Sequence, residues 1–294
     1  MLAAASEMKR ARAGQPRGSL DAQAPLKGRI VALIFEQPST RTRVSFQVGI
    51  HQLGGESLTV SRTELHLGRG ETIADTARVL SRYVDLIMLR TDDVRKLDEL
   101  AQHASVPVIN GLTDKGHPCQ ILADILTFEE HKGPIAGKLI AWVGDTNNVA
   151  LSWIEAASLF GFRLRIAAPE GYRPPPEVIG HARKAGAAIE ILASAAAAVA
   201  GADAVSTDAW VSMSHTDREA RLKAFAPYRV DEALMKLAPG AVFLHCLPAH
   251  RGEEVTADVF ESDASVVFDQ AENRLHGQKA LLLMLLAPGG AGNL

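Results

Sequence analysis

The strongest constraint on this chain is a repeated alternation. Short apolar runs rich in β-branched residues stand at 30–35, 84–89, 106–109, 139–143, 164–167, 204–206 and 242–245, with helical stretches at 43–53, 72–83, 120–130 and 149–160 between them. Consecutive strands separated by helices pair in parallel, because a parallel pair needs a long crossover, so the pattern predicts an α/β fold. A length of 294 residues exceeds the usual extent of one core, which predicts two doubly wound parallel-sheet lobes. Lys132, Gly133, Pro134 and Gly137 break both helix and strand patterns, and the boundary is placed there, giving lobes 1–132 and 133–294. The closing stretch 272–286 reads as a helix able to pack back on the first lobe.

Composition narrows the partners. A formal net charge of −3 and a pI near 6.4 supply no positive field for nucleic acid or an anionic membrane surface, leaving a small molecule as the expected ligand. No apolar run reaches the roughly 18 residues of a membrane span. Glu7, Lys9 and Arg10 follow the opening residues too closely for a signal-peptide core. Two cysteines, Cys119 and Cys246, make neither a disulfide framework nor a metal knuckle. A cytoplasmic protein that requires no metal and no cofactor is expected.

Three clusters carry chemistry. After the first apolar run come Ser39, Thr40, Arg41, Thr42 and Arg43, then a helix. Free amides at a helix start, three hydroxyls and a guanidinium make an anion site. A capped helix with solvated arginines is the plain alternative, but cations at a helix N-terminus oppose its dipole unless an anion is present. The second cluster is Gly116, His117, Pro118, Cys119 and Gln120, and Arg90 closes the run before it. The third is His245, Cys246, Leu247 and Pro248. Neighbours on a strand face opposite ways, which rules out His245 and Cys246 as a thiol catalytic pair.

Taken in order, Ser39-Thr40-Arg41-Thr42-Arg43, His117-Pro118-Cys119-Gln120, Asp208-Ala209-Trp210-Val211-Ser212-Met213 and His245-Cys246-Leu247-Pro248 resemble the aspartate/ornithine carbamoyltransferase family, in its ornithine branch. The likeness covers nearly the whole chain, including Ala271-Glu272-Asn273-Arg274. It implies a carbamoyl phosphate-binding lobe (1–132), an ornithine-binding lobe (133–294), and transfer of the carbamoyl group to ornithine. Ser39, Thr40, Arg41 and Thr42 would hold the phosphate, with Arg274 adding a contact, while Arg43 would pair with a carboxylate. Arg90, His117 and Thr42 would face the carbamoyl oxygen, and Gln120 its NH2. Asp208 would take the α-amino group of ornithine, assisted by Ser212. Asn148 and the Met213 backbone would take its carboxylate. The carbonyls of Cys246 and Leu247 would accept the attacking amine's protons, beside a cis Leu247–Pro248 bond. The resemblance also implies a homotrimer in which His66, standing where many members carry glutamine, reaches a neighbouring subunit's carbamoyl phosphate.

Two departures bear on the amine. Gln37 replaces a commoner lysine, and Ser214 replaces a glycine in the loop that selects the second substrate. Relatives acting on putrescine or acylated ornithine differ in that same loop. An aspartate-specific enzyme fits less well, because that branch lacks the Asp208-to-Met213 pattern and the His245-Cys246-Leu247 run. A non-catalytic, anion-binding paralogue is the reading from another class, opposed by the intact Arg41, Arg90, His117, Gln120, Asp208 and Cys246. Neither a G-x-G-x-x-G nor a G-x-x-x-x-G-K-[ST] run is present, which argues against a dinucleotide enzyme and an ATPase.

Overall fold

A computed structural model describes residues 1–64, 70–211 and 216–286. The strands among them are β1 (Ile30–Phe35), β2 (Glu56–Ser61), β3 (Leu86–Arg90), β4 (Val108–Leu112), β5 (Leu139–Val143), β6 (Arg163–Ala167), β7 (Ala188–Leu192), β8 (Ala204–Thr207) and β9 (Val242–His245). The helices are α1 (Leu2–Ala11), α2 (Thr40–Gln52), α3 (Ile73–Leu80), α4 (Val94–His103), α5 (Pro118–Lys132), α6 (Asn148–Phe160), α7 (Pro176–Lys184), α8 (Ala195–Val199), α9 (Arg218–Phe225), α10 (Glu232–Met235), α11 (Ala257–Phe260) and α12 (Val267–Leu286). None of the described helices is long and apolar enough to cross a membrane.

Every strand pairing is parallel, as the alternation predicts. One sheet has the order β2-β1-β3-β4 and the other β7-β6-β5-β8-β9. In each, the first strand formed lies inside the sheet and the chain winds first to one side and then to the other. The crevice between β1 and β3, and that between β5 and β8, are therefore switch points, and ligands bind open α/β sheets beyond the carboxyl ends of strands at such points.

The chain divides into two compact units, Met1–Leu126 with Glu272–Leu294, and Thr127–Ala271. The boundary read from sequence, between 132 and 133, follows the visible Gly and Pro breaks. The division itself falls inside α5, where no composition signal marks it. The closing helix belongs to the first unit from Glu272 onward. Leu282 and Leu286 of α12 are buried with Leu33, Phe46, Ile50 and Met88, and Ala280 packs on Ala5 of α1. The second unit has its own core, in which Val143, Val205 and Phe243 of three neighbouring strands are buried with Val199, Val230 and Val267. Burying each such aliphatic side chain contributes on the order of 1.5–3 kcal/mol before the entropy of ordering is counted.

Candidate functional site

In the first unit, β1 delivers the chain to Ser39, whose extended backbone and side chain cap α2, the hydroxyl accepting from the Thr42 amide at 3.4 Å. Thr40 and Arg41 fall in the first turn and are exposed. Thr42 is buried, and two arginines from distant segments converge on its hydroxyl: Arg90 Nη1 donates to Oγ1 at 3.4 Å and Arg274 Nη2 at 2.8 Å. Arg90 ends β3 opposite Phe35 of β1, so the switch point itself brings it beside α2. Arg274 also donates to Gln120 Oε1 at 2.6 Å, and Gln120 Nε2 donates to Asp124 at 2.7 Å. That chain of bonds fixes the orientation of a buried amide that sequence alone leaves free.

His117 is buried at the start of α5, its carbonyl accepting from the Gln120 amide at 2.9 Å. Burial, then the charges of Arg274, Arg90 and Arg41, hold its imidazole well below the ordinary value, so the ring is neutral at pH 7. A neutral imidazole among three guanidiniums is a hydrogen-bonding group that adds no further positive charge to the site. Arg43 is exposed. Its charge, after the hydrogen bonds from Ser61, helps keep the Glu64 carboxyl below its usual range.

In the second unit, the ends of β5, β8 and β9 lie side by side. Asn147 caps α6, its Oδ1 accepting from the amides of Val149 and Ala150 at 3.0 and 3.3 Å. The amide nitrogen of the same side chain donates to Asp208 Oδ2 at 2.6 Å. The other oxygen, Asp208 Oδ1, accepts from the Cys246 thiol at 3.1 Å and from the Ala209 amide at 2.8 Å. Gly144 makes this approach possible: its φ is 129°, and a Cβ there would meet Thr207 Oγ1 and Trp210 Nε1 at 3.2 Å. Asn148, the first residue of α6, is half-buried.

Past β9, Leu247 has a φ of 60°, which a branched residue adopts only under constraint, and the Leu247–Pro248 bond is cis. The constraint is visible. The Leu247 amide donates to His245 Nδ1 at 2.9 Å, and His245 Nε2 lies 3.2 Å from Glu254 Oε1, so the ring carries its proton on Nε2. The segment after Asp208 is anchored by Trp210, which stacks on Phe225 and whose carbonyl accepts from buried Arg221 at 2.6 Å. Arg221 also pairs with Asp145.

The structure thus collects Ser39, Thr40, Arg41, Thr42, Arg90, His117, Gln120 and Arg274 in the first unit, and Asn148, Asp208, Cys246 and Leu247 in the second. His66, Ser212, Met213 and Ser214 lie outside the described residues. Sequence reading missed Asn147, Arg221 and Glu254. The signal for Asn147 was present, since asparagine before an apolar helical run is a cap. Nothing local marks Arg221 or Glu254.

Comparison with known proteins also divides the chain in two. Residues 1–130 match the family described as aspartate/ornithine carbamoyltransferase, carbamoyl-P binding domain, and residues 136–285 the Asp/Orn binding domain of the same family. An ornithine carbamoyltransferase of Rhizobium meliloti is 60% identical over 262 residues, covering 89% of this chain and 86% of its own. One of Roseobacter denitrificans is 58% identical over 286 residues, covering 96% and 93%. The solved ornithine carbamoyltransferase of Pyrococcus furiosus superposes with a TM-score of 0.91 at 48% identity, covering all of this chain and 93% of that one.

Proposed function

Because this chain belongs to the aspartate/ornithine carbamoyltransferase family, we propose that it transfers the carbamoyl group of carbamoyl phosphate to the side-chain amine of L-ornithine, giving L-citrulline and phosphate, a step of arginine biosynthesis. The observation that carries this reading is the convergence of Arg90 and Arg274 on the Thr42 hydroxyl, one turn into a capped helix and beside a neutral, buried His117.

The phosphate binds the first turn of α2, through Ser39, Thr40, Arg41 and Thr42, with Arg274 completing its neutralisation. Arg90, His117 and the Thr42 hydroxyl face the carbamoyl oxygen, where negative charge grows as the carbon becomes tetrahedral, and Gln120 takes the NH2 group. Such donors need no reorganisation when the charge appears, and one of them is worth about 3–4 kcal/mol of barrier. Asp208 accepts the α-amino group, with Ser212 beside it, while Asn148 and the Met213 backbone hold the α-carboxylate. The Cys246 and Leu247 carbonyls accept protons of the attacking amine, and the Cys246 thiol positions Asp208 without forming a covalent bond. The neutral amine attacks the carbamoyl carbon, the bond to the phosphate oxygen breaks, and the leaving phosphate collects the proton. The working unit is a cytoplasmic homotrimer in which His66 reaches the carbamoyl phosphate of a neighbouring subunit.

An alkylamine titrates near pH 10.4, so presenting it deprotonated at neutral pH costs about 4–5 kcal/mol, and the rate rises from pH 6 to about pH 9. A flat profile would contradict amine attack. The deciding experiment compares product formation with ornithine, putrescine, N-acetylornithine and aspartate at about pH 8. Citrulline from ornithine, lost in Asp208→Ala, is the expected result. A preference for another amine overturns the substrate and keeps the carbamoyl phosphate site, whereas no product with any of them leaves an anion-binding paralogue. For the trimer, mixing His66→Ala chains with Arg41→Ala chains restores part of the activity, and no restoration places the whole site within one chain.

A further inference from the structure

The turn that follows Pro248 holds a cluster which the transfer reaction does not use. His250, Glu253 and Glu254 each offer one ligand atom, and those atoms lie within 4.8 Å of one another. His250 Nδ1, Glu253 Oε2 and Glu254 Oε2 are buried, and none makes a hydrogen bond. The two carboxylates are alike in how they are held. One oxygen of Glu253 accepts from Arg218, and one oxygen of Glu254 accepts from His245 Nε2 at 3.2 Å and from the His250 amide at 2.5 Å. In both, the second oxygen accepts no hydrogen bond.

Glu254 is 0% exposed, and only one of its two carboxylate oxygens takes donors. A buried carboxylate with one oxygen lacking any donor is a costly arrangement that a bound cation relieves, and His250 Nδ1 stands 3.6 Å from that oxygen. That separation is longer than a hydrogen bond, and Glu253 Oε2 likewise has no donor. One metal ion held by all three side chains, whose ligand atoms lie within 4.8 Å of one another, answers them at once.

We propose that His250, Glu253 and Glu254 form a binding site for a divalent transition-metal ion of the zinc class. One imidazole and two carboxylates suit such an ion, and the committed oxygens supply the outer hydrogen bonds that orient metal ligands. His250 is 41% exposed at its side chain, so the ion enters from solvent and keeps an open position. A second group, Asp208, His245 and Cys246, also lies within 4.8 Å, but both ring nitrogens of His245 are already engaged, by Glu254 and by the Leu247 amide. The metal and the Leu247 turn are joined through Glu254 and His245, so occupancy of the one stiffens the other.

The test is titration of chelator-treated full chain with Co2+, followed by absorption, and with Zn2+, followed by calorimetry. One ion per chain is expected, with weak visible cobalt bands and no thiolate-to-cobalt charge-transfer band. His250→Ala and Glu253→Gln, both at partly exposed side chains, each weaken binding by roughly tenfold or more, while Cys246→Ser binds metal as the parent does. Equal affinity in parent, His250→Ala and Glu253→Gln overturns the proposal. So does a charge-transfer band that disappears in Cys246→Ser, which places the ion at Asp208, or an absence of binding at millimolar metal.

Discussion

In the first unit three arginines surround one buried histidine, whereas in the second a single carboxylate is held between an asparagine and a thiol. The first arrangement is assembled from far apart in the chain, since Arg274 reaches Thr42 across 232 positions. The second uses the ends of three adjacent strands, so the sheet order alone brings its parts together. On the proposed function, the difference follows the charge of what each set would hold. An anion with several oxygens needs many cationic donors, whose mutual repulsion is bearable only when neutral groups such as Thr42 and Gln120 space them. One ammonium group needs one carboxylate, correctly turned.

The comparison breaks most sharply if the two half-sites fail to act separately. Arg90→Met lowers kcat by about 100- to 1,000-fold, the effect of removing one donor to a developing oxyanion, while ornithine-side recognition by Asp208 is untouched. Asp208→Ala abolishes citrulline formation yet binds carbamoyl phosphate as the parent does, measured by calorimetry in the absence of amine. Loss of carbamoyl phosphate binding in Asp208→Ala contradicts the assignment of the anion to the first unit alone.

Acid sharpens the contrast at the level of stability. The first unit buries His117 and His276, and both resist protonation. His276 is held to about 4 by burial and then by the charges of Lys279, Lys9 and Arg12, with Asp21 opposing them. Because the folded values lie below the 6.5 of an ordinary histidine, the unfolded chain takes up protons first as the pH falls. Stability is intact above about pH 6.5 and declines toward pH 4. His276 alone contributes at most roughly 3 kcal/mol to that decline. His276→Gln leaves the neutral melting temperature within a few degrees and shifts the acid unfolding midpoint downward. An unchanged midpoint removes His276 from the account.

Much of this was legible in the sequence, for reasons that differ by element. Seven strands were marked by apolar runs because both faces of a parallel strand are buried. The two that escaped notice, β2 and β7, are edge strands that carry polar and exposed residues, as in Glu56-Ser57-Leu58, where Glu56 and Leu58 are exposed, and Ile189-Glu190-Ile191, where Glu190 is exposed. The Ser39-to-Arg43 cluster was legible because its residues are contiguous at a helix start. The return of α12 to the first unit was not, since an amphipathic helix does not say which core it joins. Arg274 was reached through resemblance alone, and its guanidinium donates to Thr42 and Gln120. Buried Lys279, bonded to Asp21 at 2.6 Å and Gln52 at 3.0 Å, had no sequence signal at all, because its partners lie more than two hundred residues away.

The finest discrimination concerns Asn147, which does two things with two atoms. Its Oδ1 caps α6, and its Nδ2 donates to Asp208. Asn147→Ala loses both functions and costs about 1 kcal/mol of stability through the cap alone. Asn147→Asp separates them, because aspartate caps a helix as well as asparagine does but places an oxygen where Asp208 Oδ2 now finds a donor at 2.6 Å. Two carboxylates so close repel, and Asp208 turns away or takes up a proton. Asn147→Asp therefore melts within about a degree of the parent while its KM for ornithine rises roughly tenfold, the scale of one lost hydrogen bond to a charged group. Equal rises in KM with an equal fall in melting temperature for both variants assign Asn147 to the helix alone. A rise in KM in both variants, with the melting temperature lowered only in Asn147→Ala, shows that the second unit, like the first, positions its charged group through a neutral neighbour.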